Sequence, residues 1–189
     1  ESGDIGSLKL AQISTLRADQ VAAFSSDQII ALSTAQVAAL RADQVASLDS
    51  TQLAALESQD FGALTTAQEA GFTSTQISAL QVSTQLAGLT STQIGSLQVV
   101  TQFVGLTSTQ ISALTTTQEA GLTTMQIGTL TTTQEVGLTS TQISSLTSAQ
   151  ASGLTSTQVS VLDLATQFVG LTSTSVSGLT ISALSGLSS

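Results

Sequence analysis

The chain has 189 residues, a formal net charge of −9, and no Cys, His, Trp, Tyr or Pro. Without His or Cys it has no imidazole base, no thiolate, no disulfide and none of the usual side-chain ligands of zinc or haem. Its three cations, Lys9, Arg17 and Arg41, are too few for the basic surface that nucleic acids require. We therefore expect no enzymatic activity, no metal or cofactor site and no nucleic-acid partner.

Residues 1–179 divide into 22 units, most of eight residues, with the pattern [ST]-S-T-Q-I-x-x-L. The fourth position is Gln in 19 of these octads, the others having Asp4, Asp60 and Ser175; the eighth is Leu except at Phe24 and Phe72. Three units, 81–89, 98–106 and 163–171, contain one extra residue. This regularity predicts a single repeat solenoid over 1–179, followed by a degenerate C-terminal repeat or tail at 180–189.

The order of residues in each octad predicts one short helix that starts at the first position. Thr or Ser there is a good N-cap, and Gln three residues later completes a capping box. The preceding Leu and the following Ile, such as Leu106 and Ile111, have the spacing of a hydrophobic staple. A continuous helix is excluded, because eight residues advance it by about 800° and rotate the apolar pair out of line at every repeat. Such short helices must stack on neighbours, which predicts an all-α solenoid.

A second period begins near residue 57, where the fifth position alternates between aliphatic residues and a mixed set. Octads of the mixed set have Gly at the seventh position, for example Gly121 and Gly137, which we interpret as a site for a tight reversal. We therefore expect two octads, 16–17 residues, in each coil. A β-solenoid with the same coil length is the alternative, since Thr, Ile and Val favour strands. It is disfavoured because Ile and Leu would face opposite sides and the early octads are rich in Ala.

Acidic residues offer two candidate sites, and each has a simpler structural interpretation. Those in the first third of the chain could form a calcium ladder, but Asp in a first helical turn also complements the helix dipole. No loop has the alternating acidic pattern with Gly of a calcium site. Glu69, Glu119 and Glu135 occupy fifth positions that elsewhere hold Leu, Phe or Ala. We interpret this position as a partly exposed outer face, or one that meets a neighbouring molecule, rather than a catalytic pair.

A candidate assembly patch lies in two of the nine-residue units. It consists of apolar side chains that would associate laterally if exposed, or fill a wider coil if buried: Val99, Val100, Phe103, Leu164 and Phe168. Residues 65–189 contain only four charges, so little electrostatic repulsion would keep copies apart. The sequence therefore predicts self-association into a homo-oligomer or filament.

The [ST]-x-x-Q-[IV]-x-x-L units resemble the short tandem repeats of large bacterial secreted or surface proteins of adhesin-like, haemagglutinin-like or haem-utilisation-like type. The resemblance implies an extracellular or cell-surface location and no catalytic residue. Haem is not expected, because the chain has no His, Cys or Tyr. Together these features predict a structural protein: a subunit of a self-assembling filament, sheath or surface layer, or an adhesin stalk.

Two further expectations concern the surface. The alternative function is a surface-binding module that uses rows of Thr and Ser hydroxyls to contact ice or a glycan, and the same hydroxyls are open to O-glycosylation. No membrane span is expected, because polar residues interrupt every apolar run well before the roughly 18 residues of a spanning helix.

Overall fold

The computed structural model describes residues 2–188. Glu1 and Ser189, the outer limits of the predicted solenoid and tail, lie outside the described residues. Every regular element between them is a short helix, so the predicted all-α solenoid is confirmed and the β-solenoid alternative is wrong. No helix in the described part of the chain is both long and apolar enough to cross a bilayer.

The chain divides into two compact units, Glu1–Leu89 and Thr90–Ser189. The first contains α1 (Ser2–Gly6), α2 (Leu10–Thr15), α3 (Ala18–Ala22), α4 (Ser26–Ile30), α5 (Thr34–Ala38), α6 (Ala42–Ala46), α7 (Ser50–Ala54), α8 (Ser58–Ala63), α9 (Thr66–Glu69), α10 (Ser74–Ala79) and a π-helix (Val82–Leu86). The second contains α11 (Ser91–Ser96), α12 (Ser108–Ala113), α13 (Thr116–Glu119), α14 (Thr124–Thr129), α15 (Thr132–Glu135), α16 (Ser140–Ser145), α17 (Ser148–Ala151), α18 (Ser156–Ser160), α19 (Ser173–Gly178), α20 (Ile181–Leu184) and the 3-10 helices Phe103–Gly105, Phe168–Gly170 and Ser185–Ser188. The described part of the degenerate segment, residues 180–188, thus continues the helical pattern, and α20 packs on α18.

Each octad starts with a capped helix, as α12 illustrates. Thr107 is extended (φ −80°, ψ 161°), and its hydroxyl accepts a hydrogen bond from the backbone N–H of Gln110 at 3.2 Å. Gln110 Oε1 accepts in return from the Thr107 N–H at 2.8 Å, which completes the predicted capping box. Leu114 ends the helix in an extended conformation (φ −59°, ψ 129°). Leu114 and the next cap, Thr115 (φ −68°, ψ 156°), are both extended and redirect the chain between α12 and α13.

One turn of the solenoid takes three to four octads, so the prediction of two octads per coil is wrong. In the first unit α5 packs against α8 and α6 against α9, which are three octads apart. In the second unit α12 packs against α15 and α13 against α16 at the same spacing, and α16 also meets α19, four octads on. A short helix with two extended residues makes only one side of a turn, and several sides are needed to enclose the apolar core. Ile111 and Ile127, at fifth positions, are fully buried in that core.

The alternation of octads reflects how neighbouring turns approach each other. A Cβ on Gly121, Gly137 or Gly153 would overlap the backbone of the second residue of the octad three units earlier. Because three is an odd number, a Gly octad always faces an octad of the other class, which explains the period of two. The chain turns at these glycines, as expected, but it does so without a positive φ at any residue of the described chain. Glycine is needed there for close packing of backbones.

Candidate functional site

Glutamine at the fourth position connects successive turns through its side-chain amide. Gln142 Nε2 donates to the carbonyl oxygens of Ile111 at 2.7 Å and Leu114 at 3.0 Å, 31 and 28 residues earlier. Gln158 Nε2 makes the same pair of bonds to Ile127 and Leu130 at 2.8 and 3.0 Å. Oε1 of the same side chain accepts from the cap residue of its own helix. One amide therefore hydrogen-bonds both an N–H group at the start of its helix and carbonyl groups at the end of the helix four octads earlier.

The same ladder runs through the first unit. Its members donate to the eighth-position carbonyl four octads earlier: Gln36 to Leu8, Gln44 to Leu16, Gln52 to Phe24, Gln68 to Leu40, Gln76 to Leu48 and Gln85 to Leu56. We call this set and its counterpart in the second unit the glutamine ladder. Sequence reasoning assigned Gln to capping alone. The missed signal was that Glu, which would serve a capping box equally well but has no N–H, never replaces Gln.

The nine-residue units absorb their extra residue within the first helical turn. In unit 98–106 the N–H of Phe103 donates to the carbonyl of Gln98 at 2.9 Å, a bond that spans five residues instead of four. The N–H of Phe168 does the same to Asp163 at 2.8 Å. The cap is kept as well, because Gln102 Oε1 accepts from the Gln98 N–H at 2.9 Å. The additional residue is therefore pushed outward while the ladder stays in register.

The predicted assembly patch is divided between core and surface. Phe103 is fully buried and belongs to the core, whereas Val99 and Phe168 are half-buried. Val100 and Leu164 are 82% and 73% exposed, as expected of residues displaced by the extra position. The surface part of the patch therefore consists mainly of Val100 and Leu164.

A row of exposed valines accompanies these two residues. Val104, Val136 and Val169 each follow the fifth position of their octads and are 44%, 67% and 67% exposed. The ladder stacks these octads, because Gln134 donates to Leu106 at 2.7 Å and Gln167 to Leu138 at 2.8 Å. We call Val104, Val136 and Val169 the valine column. Sequence analysis did not identify it, because its members align only when a turn contains about four octads.

Two of the three charged residues in the second unit are buried, so the prediction of a partly exposed face for Glu119 and Glu135 is wrong. Their side chains are 1% and 0% exposed, and Glu69 in the first unit is 1% exposed. Burial raises the pKa of Glu119 to about 7, despite a hydrogen bond from Ser145, and raises the pKa of Glu135 to about 8. Glu119 and Glu135 thus occupy the same core-facing position as Ile111 and Ile127, because the cap sets the rotation of each helix.

Asp163 is the exposed acid of the second unit and caps the last nine-residue unit. Its Oδ1 accepts from the Thr166 hydroxyl at 2.6 Å and from the Thr166 and Ala165 N–H groups at 2.7 and 3.0 Å. These bonds hold the pKa of Asp163 below its ordinary value, and the bond from the Thr166 hydroxyl contributes most. The surface of the second unit thus combines exposed apolar side chains with a single acidic residue.

The acidic residues of the first unit serve as local partners. Asp19 pairs with Arg17 at 2.9 Å and Asp43 with Arg41 at 2.8 Å, while Asp49 accepts from the Gln52 N–H at 2.8 Å as an N-cap. Within residues 2–188 no three acidic side chains are grouped so that they could hold a metal ion. These contacts agree with the interpretation of the early acids as helix-start residues.

The first-position threonines direct their hydroxyls into the caps. Thr139 Oγ1 donates to Gln142 Oε1 at 3.0 Å and accepts from the Gln142 N–H at 3.2 Å. Thr115 and Thr131 make the same pair of bonds. A row of these hydroxyls has little hydrogen-bonding capacity left for an external surface.

Part of the chain matches a known repeat family. The ALTTAQ repeat matches three times, at residues 1–34, 29–56 and 53–83, each match about as long as one turn of the solenoid. The family's six letters occur unchanged at 63–68. No curated protein and no solved structure matches the chain. The first unit of this repeat protein is therefore similar to the ALTTAQ repeat.

Proposed function

We propose that the chain is a structural protein that associates with further copies of itself through the valine column and the neighbouring Val100 and Leu164. The observation that carries the proposal is the exposure of these five apolar side chains on one column of octads in the second unit. Exposed apolar groups that alternate with polar ones along a regular surface are typical of contacts between copies.

Charge supports the same proposal. Of the three acids of the second unit, Glu119 and Glu135 are buried and only Asp163 faces solvent. Electrostatic repulsion between two such surfaces is weak at any salt concentration, so apolar contact is opposed mainly by the entropy of association.

In this proposal the assembly is an extracellular filament, sheath or surface layer, or the stalk of an adhesin, and the chain catalyses no reaction. Support for the location comes from the resemblance of its octads to the tandem repeats of large bacterial surface proteins. The surface-binding alternative has less support, because the first-position hydroxyls are bonded within the caps.

Sedimentation velocity of the full chain from about 10 μM to 1 mM tests the proposal, since weak protein contacts have dissociation constants in this range. We expect the sedimentation coefficient to rise with concentration. The double variant Val136→Lys/Val169→Lys should remain monomeric, because each lysine places a charge in the contact.

Met125→Lys is the matched control. Met125 is 69% exposed in the same unit but lies in an octad outside the valine column, so this variant should associate as the native chain does. A native chain that stays monomeric throughout would refute self-assembly. Equal weakening by the control would show that net charge, and not the column, governs association.

A further inference from the structure

The glutamine ladder has one interruption inside the first unit, at Asp60. Asp60 occupies the fourth position of its octad, and its Oδ2 accepts from the Glu57 N–H at 3.0 Å, as a Gln Oε1 does elsewhere. The helix cap is thus preserved. A carboxylate has no N–H, however, and cannot supply the bonds that Gln sends to the turn before.

The carbonyl group left without its partner is that of Leu32. The corresponding carbonyls on either side, Phe24 and Leu40, accept from Gln52 at 2.7 Å and Gln68 at 2.6 Å. Within the described residues no donor reaches the Leu32 oxygen, although Leu32 is only 6% exposed. This carbonyl therefore keeps its capacity to accept a hydrogen bond from a bound donor.

A cleft of about 690 Å³ opens at this interruption. Leu32, Thr34, Glu57 and Asp60 all line it, and no Lys or Arg does. Asp60 is 7% exposed, and its Oδ1 accepts from the Thr34 hydroxyl at 2.7 Å, which fixes the carboxylate at the wall. The cleft therefore offers two acidic side chains and a vacant carbonyl, with a volume typical of small-molecule sites.

We infer that this cleft binds a small organic cation with several N–H donors, a primary ammonium or a guanidinium group. Such a group supplies the N–H donors that Asp60 lacks, so it can bond the Leu32 carbonyl. Its positive charge also matches the negative charges of Asp60 and Glu57. A planar guanidinium can bond a carboxylate and a carbonyl at once. Calcium fits less well, because only two acidic side chains line the cleft and calcium takes six to eight oxygen ligands.

The test is a titration of the full chain with methylguanidinium chloride, followed by NMR of the backbone amides at low ionic strength. We expect saturable shifts confined to the amides around Leu32, Thr34 and Glu57. Tetramethylammonium chloride, which has the same charge and no N–H donor, should produce no saturable shifts. Equal binding of tetramethylammonium, or saturation by calcium chloride alone, would overturn the inference.

Two variants locate the site. Asp60→Gln restores the ladder residue, so it should raise the melting temperature and weaken methylguanidinium binding by about tenfold or more, the effect of losing a charged hydrogen bond. Asp60→Asn, which keeps the size of the side chain, should weaken binding similarly. Asp27→Asn, the matched control, removes the same charge from an exposed position of α4 outside the cleft lining and should bind as the native chain does. Unchanged affinity in both Asp60 variants would refute the site.

Discussion

Ser145 and Glu119 are joined across neighbouring turns: the Ser145 hydroxyl donates to Glu119 Oε2 at 2.6 Å, although 26 residues separate them in sequence. The other carboxyl oxygen of Glu119, and both of Glu135, are buried without a hydrogen-bond partner among the described residues. Such carboxyl groups are stable in the core only in the protonated form.

The first prediction is that the free energy of unfolding decreases as pH rises from 5 to 9. The pKa values of Glu119 and Glu135 are about 7 and about 8 in the folded chain, against 4.5 ordinarily. Their contribution is fully present below pH 4.5 and is lost as pH rises through these values. The total loss is about 3 to 5 kcal/mol per group. Urea denaturation across this pH range measures it.

Glu119→Ala/Glu135→Leu is the control for the pH effect, because Ala151 and Leu86 occupy the same position in other octads. The double variant should have a nearly flat profile over the same range. A slope equal to that of the native chain would show that other groups are responsible.

The second prediction concerns the glutamine ladder. Gln142→Met keeps the volume of the side chain but loses two bonds to the earlier turn and two to its own cap residue, Thr139. We expect a loss of about 2 to 4 kcal/mol in the free energy of unfolding. Gln12→Met removes only the cap bond to Lys9, at an exposed position, and should cost less than about 1 kcal/mol. Equal losses in urea denaturation would refute a role for the ladder in stability.

The third prediction tests the close approach of the turns. Gly121→Ala introduces a methyl group that overlaps the backbone of Ser91, which cannot move away as a flexible side chain could. The expected cost is about 3 kcal/mol, typical of overpacking against fixed structure. In Gly62→Ala the new Cβ would be 3.0 Å from one carbonyl oxygen, that of Gly88, and the change should stay within about 1 kcal/mol because Ala favours the helix. Thermal denaturation of both variants measures the difference.

The fourth prediction is that deletion of Val100 is tolerated. The shortened unit regains the eight-residue pattern, and bonds that span five residues become ordinary helical bonds. The free energy of unfolding should decrease by less than about 1 kcal/mol, because the deletion removes an exposed side chain and leaves the core contacts in place. Deletion of Ser108, in a complete octad, should rotate Ile111 out of the core and prevent the second unit from folding. Circular dichroism and hydrogen exchange distinguish the two results.

Local features of the fold follow from the sequence, because they depend on residues close together in the chain. The Thr and Gln of each octad form a capping box within four residues, so helix starts such as Thr107 could be predicted. The number of octads per turn could not be predicted from the sequence. It depends on which octads meet in space, and the period of two pointed to the wrong number.

The candidate sites show the same limit. The exposure of Val100 and Leu164 follows from the extra residue in their units, but burial of Phe103 in the same unit depends on the turn around it. The valine column and the cleft at Asp60 each require the register between turns. The sequence shows that Asp60 departs from the Gln pattern. The missing ladder bond becomes apparent only when Leu32, 28 residues earlier, is placed beside it.

The ladder has a direction, because the Gln amide bonds to another turn described above reach 28 to 31 residues back toward the N-terminus. When an octad leaves the ribosome, the carbonyl groups that its Gln amide donates to have already been synthesised. These bonds can therefore form before the following octads are made. Each bond closes a loop no longer than about one turn of the solenoid, which limits the loop-closure entropy of each step. Within each unit the chain can close turn by turn in the order of its synthesis, so that no long segment with open carbonyls is exposed at once.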